Sequence, residues 1–116
     1  MRKLVFLVGA VALAQRPWPP PGMRCPERTI VITEVQQGNA SKLNDVYEEH
    51  LAFLMPLLKS GKIVSAGPTT DGRGIIIFST KDWAEVEQLL KKEPFMREGV
   101  MKLSSHAAWN ACEAVK

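Results

Sequence analysis

In the stretch DVYEEHLAFLMPLL, Asp45 to Leu58, a histidine stands four residues after Val46 and four before Leu54. Val46, Phe53, Leu54, Leu57 and Leu58 recur at helical spacing and mark one apolar face, so His50 points where they point. A second ionisable residue is placed alike. Glu93 lies four residues after Leu89, seven after Val86 and three after Leu90, continuing the inward stripe of a later helix. A carboxylate beside an imidazole fixes the ring's tautomer and favours its charged form, while burial opposes charge. Such a pair can take up and return a proton near neutral pH as a general acid or base. Both residues also have ordinary uses: an inward histidine can be a hydrogen-bonded core residue, and a glutamate at a helix end can reach out to water. Spacing leaves both readings open.

The elements that must position the pair follow from pattern and turn residues. RTIVITEV, Arg28 to Val35, is a strand by its β-branched content. Asn44 or Ser41 is the expected cap of the His50 helix, which should end near Gly61 and be kinked or split by Pro56. KIVSAG (Lys62 to Gly67) and IIIFS (Ile75 to Ser79) are further strands around the turn-rich loop PTTDGRG. Asp82 caps a second helix with Trp83, Val86, Leu89 and Leu90 inward, and Pro94 requires Glu93 to end it. GVMKLSSHAAW, Gly99 to Trp109, is the last strand.

The order β-α-β-β-α-β predicts an α+β, ferredoxin-like fold: a four-stranded antiparallel sheet with two helices on one face. In that topology the first helix starts at the end of the sheet where the second one finishes. His50, early in its helix, and Glu93 therefore reach the same level. The other sheet face is not built for water, because Ile30-Val31-Ile32 and Ile75-Ile76-Ile77-Phe78 are apolar on both sides of the alternation. A second copy is the simplest cover, which predicts a homodimer with two sheets packed together.

The front end reads as a targeting signal over residues 1–14. Arg2 and Lys3 precede the apolar run Leu4 to Leu13, and Ala12-Leu13-Ala14 has the small-x-small form of a cleavage site near Ala14. The run is too short for a permanent bilayer anchor. An ordinary first strand or buried segment is the other reading. Residues 15–26 form a proline-rich linker, since Gln15 to Arg28 holds five of the chain's eight prolines. The folded domain then occupies 27–116, and the address is periplasmic or secreted.

From His50 to Trp109 the chain resembles the YCII-related domain in EEHLAFL, SGKIVSAGPTTDGRGIIIFS, EPFMREGV and the closing AAW. The resemblance implies a dimeric α+β barrel and a small pocket holding the first helix's histidine and an aspartate in an Asp-Pro-Phe/Tyr motif. His50 matches that histidine. Glu93 stands where the family has aspartate, one methylene longer at the same charge. The segment Ser65, Gly67 and Pro68 is expected as pocket wall together with Phe95, with Gly67 allowing close backbone approach and Pro68 stiffening a turn. Plain loop architecture is the other reading. The resemblance further implies action on small aromatic or lactone-like molecules, as by a dehydrochlorinase of chlorinated hydroquinones or by the similarly folded muconolactone isomerases.

Cys25 lies shortly before the first strand and Cys112 shortly after the last. Those strands are antiparallel neighbours, so the two thiols share one end of the sheet and can form a disulfide, which suits an exported chain. Two free thiols in flexible ends are the alternative. His106 shares a strand face with Lys102 and Ser104 by simple alternation and reads as surface or interface.

Other classes find no support. A net charge of +3 in 116 residues, without a dense basic run, gives no nucleic-acid surface. No histidine has a Cys or carboxylate at ligand spacing, so no metal is expected, and DGRG lacks the lysine and strand-to-helix setting of a phosphate loop. No cofactor is expected. The expectation is an exported, homodimeric small-molecule enzyme of lyase or isomerase type using His50 and Glu93; the alternative is a non-catalytic dimeric binding or structural module.

Overall fold

The β-branched run Glu27–Val35 forms an inner strand of a sheet. The computed structural model describes residues 16–116, so the signal reading, on residues 1–14, lies outside the described residues. Strands are β1 (Met23–Arg24), β2 (Glu27–Val35), β3 (Ile63–Pro68), β4 (Arg73–Phe78), β5 (Met101–Asn110) and β6 (Glu113–Ala114). Helices are α1 (Leu43–Ser60), α2 (Trp83–Lys92) and the single turn α3 (Pro94–Arg97). The chain divides into two compact units: Glu27–Asn110, and the segments on either side of it.

In the larger unit the four strands lie in the order β3-β4-β2-β5, every neighbour antiparallel. Residues directly opposite in such pairs share a face. Val31 lies opposite Ile76, and both are buried with Ile63 and Phe78 against Leu54 of α1 and Val86 and Leu90 of α2. Both helices therefore cover one face, the ferredoxin-like arrangement. The opposite face carries Ile30 and Ile32 facing Ile77 and Ile75, with Ala107 and the half-exposed Trp109 on β5.

Two strand irregularities alter what simple alternation predicts. The β2/β5 register shifts between Ile32 and Thr33, which leaves Ser104 as the extra residue. Lys102 therefore pairs with Glu34 on the open face, whereas His106 pairs with Val31 on the helix face and stacks on Trp83, with ring centroids 3.5 Å apart. The shared face expected for His106 and Lys102 is thus corrected. A second shift between Ile63 and Ser65 makes Val64 the extra residue of β3.

The helix ends also depart from expectation. Neither Asn44 nor Ser41 caps α1; a 3-10 turn at Ala40–Lys42 leads into it, and no side chain supplies the cap. Pro56 does not split α1, which continues to Ser60 and closes at Gly61 with φ +82. Pro56 and Ala52, whose carbonyl it leaves without an amide partner, are both exposed, so water can meet that carbonyl. Asp82 does cap α2, accepting from the Ala84 N–H at 3.0 Å.

In the smaller unit β1 pairs with β6, Met23 opposite Ala114 and Arg24 opposite Glu113. Cys25 and Cys112 are joined as a disulfide, 87 positions apart in sequence.

Candidate active site

Pro94 shapes the site first. It forces Glu93 into extended geometry, φ −66 and ψ 124, so α2 stops there and α3 starts immediately after. Glu93 becomes the N-cap of α3, and its Oε2 accepts the Met96 N–H at 2.9 Å. Its other oxygen, Oε1, is hydrogen-bonded to His50 Nδ1. The carboxylate is 3% exposed, so these two partners stand in for the water it has lost.

His50 is held on a second side by packing. The Phe95 ring lies over the imidazole with centroids 3.9 Å apart and planes 11° from parallel. Phe95 is itself buried with Val46 and Val100, which fixes the position of that wall. With Nδ1 donating to the carboxylate, Nε2 of a neutral ring is an acceptor, and no described residue bonds to it. The arrangement presents one nitrogen of a tautomer-fixed imidazole, the geometry of a general base that becomes a general acid once protonated. The longer glutamate thus serves both contacts, with the α3 amide and with the ring.

The site opens on a cavity of about 490 Å³, a size suited to a small ligand. One stripe of α1 faces it, from Leu43 through Tyr47, His50 and Leu54 to Leu58, against the ends of β2, β3 and β4. Polar side chains in the lining are confined to Thr33, Tyr47, His50, Arg73 and Glu93. Around the pair, Arg97 of α3 bridges to Glu49 of α1 at 2.8 Å. That contact, and then Glu98, raises the Arg97 pKa above its ordinary value. At the β3–β4 loop, the Asp71 carboxyl is held below its usual range by the Thr69 hydroxyl first and by Arg73 second.

His50, Glu93 and Phe95 meet as sequence spacing and family resemblance together suggested. Gly67 and Pro68 line the cavity, yet as the end of β3 and not as a turn. A Cβ at Gly67 would meet nothing within 4 Å, so no close backbone approach requires the glycine. Ser65 is misplaced by the sequence reading. The irregularity at Val64 sets Ser65 opposite Ile77 on the open face, and Ala66 takes its place in the wall. Sequence reasoning missed Thr33, Tyr47 and Arg73. Tyr47 had a usable signal, since it precedes His50 by three residues and shares its side of the helix. Among the described residues no group of three or more His, Cys, Asp or Glu side chains could hold a metal ion.

The YCII-related domain family matches the chain over residues 28–109. Among solved structures, the chain is similar to the 5-chloro-2-hydroxyhydroquinone dehydrochlorinase of Burkholderia phenoliruptrix AC1100, determined in complex with 2,5-dihydroxybenzoquinone. The two are 25% identical with a TM-score of 0.56, covering 77% of this chain and 93% of that one. No curated protein matches the chain.

Proposed function

The chain belongs to the YCII-related domain family, and from that premise we propose that it is an exported small-molecule enzyme whose acid/base group is His50, oriented by Glu93. The observation that carries the reading is the His50 imidazole tied at Nδ1 to a carboxylate 3% exposed, beside a cavity large enough for a single ring. The substrate class is a small aromatic or lactone-like molecule, and the reaction an elimination or a double-bond migration. Both begin with a proton leaving the substrate. His50 Nε2 accepts it, and the buried Glu93 carboxylate balances the imidazolium. In a migration the same nitrogen returns the proton at another carbon. In an elimination the electron pair of the broken C–H bond expels the leaving group as its anion, and the proton passes from the imidazolium to water. The similarity to a dehydrochlorinase supports this class, because loss of HCl from a ring is such an elimination.

The protein is proposed to act as a homodimer. Support comes from the sheet face opposite the helices, where among the described residues Ile30, Ile32 and Ile75 are only partly buried and Trp109 is exposed, an apolar surface suited to a second copy. The Cys25–Cys112 disulfide supports the proposed export, since such bonds persist in oxidising compartments. N-terminal sequencing of the mature protein, starting near Ala14 or at Met1, decides that point.

The decisive test is His50→Ala, assayed on chlorinated hydroquinones and small lactones, with mass measured by sedimentation equilibrium. Turnover should fall by about 100-fold or more while the dimeric mass and folding are retained. Unchanged turnover rejects the role of His50, and a monomeric mass for the native protein rejects the dimer. Ligand-induced stabilisation without turnover on any probe favours the non-catalytic binding module.

A further inference from the structure

Two threonines four residues apart on β2 point to the helix-covered face and are almost equally buried, Thr29 at 2% and Thr33 at 3% exposure. Their hydroxyls have opposite fates. Thr29 Oγ1 donates to the Thr80 carbonyl at 2.8 Å, an ordinary strong partner. Among the described residues Thr33 Oγ1 has only the Met101 thioether at 3.8 Å, a weak acceptor on a flexible side chain. Buried hydroxyls normally find an oxygen or nitrogen, so the second needs an explanation.

Its surroundings supply one. Thr33 and Met101 both line the cavity, and Gly74 lies opposite Thr33 on β4. A Cβ at Gly74 would stand 2.6 Å from Thr33 Oγ1 and 3.5 Å from Met101 Cε. The Gly74 backbone does not lie in the left-handed region, so space and not conformation calls for glycine there. The glycine leaves room for the Thr33 hydroxyl at the wall of a cavity whose remaining lining is largely apolar.

We propose that Thr33 is a specificity-determining residue: its hydroxyl bonds an oxygen substituent of the ligand on the cavity floor, apart from the group presented to His50. With a second oxygen presented to His50, the ligand is a ring-sized molecule with at least two oxygen functions, such as a dihydroxy aromatic, and not a simple monophenol. On binding, Thr33 Oγ1 exchanges the thioether for the ligand oxygen, and Met101 is free to turn against the ring. This inference rests on the reading of the cavity as a ligand site and adds which ligand it selects.

The test compares binding of hydroquinone and phenol by calorimetry in wild type, Thr33→Val and Thr33→Ser. Wild type should prefer hydroquinone by about 3- to 10-fold, the value of one neutral hydrogen bond. Thr33→Val should lose that preference while keeping its affinity for phenol, and Thr33→Ser should retain it. Melting separates this from a structural role. Thr33→Val should melt at or above the wild-type temperature, whereas Thr29→Val should melt lower because it strands the Thr80 carbonyl. A Thr33→Val protein that still prefers hydroquinone overturns the assignment and leaves the cavity reading standing. Failure of wild type to bind either probe overturns both.

Discussion

His50 and Glu93 meet with side chains 17% and 3% exposed, while Lys62 and Glu85 meet with 39% and 38%. Each pair joins separate segments of the larger unit, and each is in direct contact. At the first, Glu93 has both oxygens assigned to protein donors and the ring is covered by Phe95. At the second, water can replace either partner as soon as the other leaves. The same contact is therefore a fixed part of the site in one place and an exchangeable surface feature in the other. Burial, more than contact, decides whether a charge pair can be kept in one geometry for chemistry.

The strongest way to break this comparison is to remove the buried acid. Glu93→Ala withdraws the cap from the Met96 N–H and the partner from His50, and leaves a void under α3. A loss of about 2–4 kcal/mol in urea unfolding is expected. Glu93→Gln keeps the shape and an acceptor for Met96, so it should cost about 1 kcal/mol or less while turnover falls with the lost negative charge. In 15N NMR the wild-type ring should show the Nδ1–H tautomer, and Glu93→Gln should redistribute it. An alanine variant as stable as wild type would place both pairs in the same class.

Lys62→Ala probes the other side. The exposed pair should contribute at most about 1 kcal/mol, and a double-mutant cycle with Glu85→Ala should return a coupling of about 0.2–1 kcal/mol. About 1 M salt should erase most of it. A salt-resistant coupling above that range would show that exposure is the wrong divider.

The buried pair was legible in the sequence because helical periodicity reports direction directly: His50 and Glu93 continue apolar stripes whose phase three or four neighbours define. The strand order was legible for a similar reason, as β-branched runs alternate with turn formers. What escaped depends on pairing between strands. The register shifts at Thr33 and Val64 are set by how two strands meet, and each turns the side chains beyond it to the other face. That is why Ser65 turns away from the wall and why simple alternation put His106 on the wrong face. The α3 turn escaped because four residues are too few for a period, although Pro94 after a potential cap is its usual signature. Thr33 was visible between Val31 and Val35, but only the partners of its hydroxyl distinguish it from Thr29.

The smallest effect lies at the cavity's exposed edge, where Asp71 faces Arg73 at 3.1 Å and also accepts from the Thr69 hydroxyl. These contacts lower the Asp71 pKa from its ordinary 3.8, the Thr69 bond contributing most. A depressed carboxylate adds stability above the pKa it has in the unfolded chain and loses it as pH falls through the folded value. The loop from Thr69 to Arg73 should therefore keep its contacts at pH 5 and release them only in stronger acid. Carboxyl NMR of Asp71 should show a midpoint below the usual carboxylate value, and Thr69→Ala and Arg73→Ala should each move it upward. Because Arg73 also lines the cavity, a midpoint at the ordinary value would mean that water already holds this edge, leaving the Arg73 guanidinium free to turn toward a ligand.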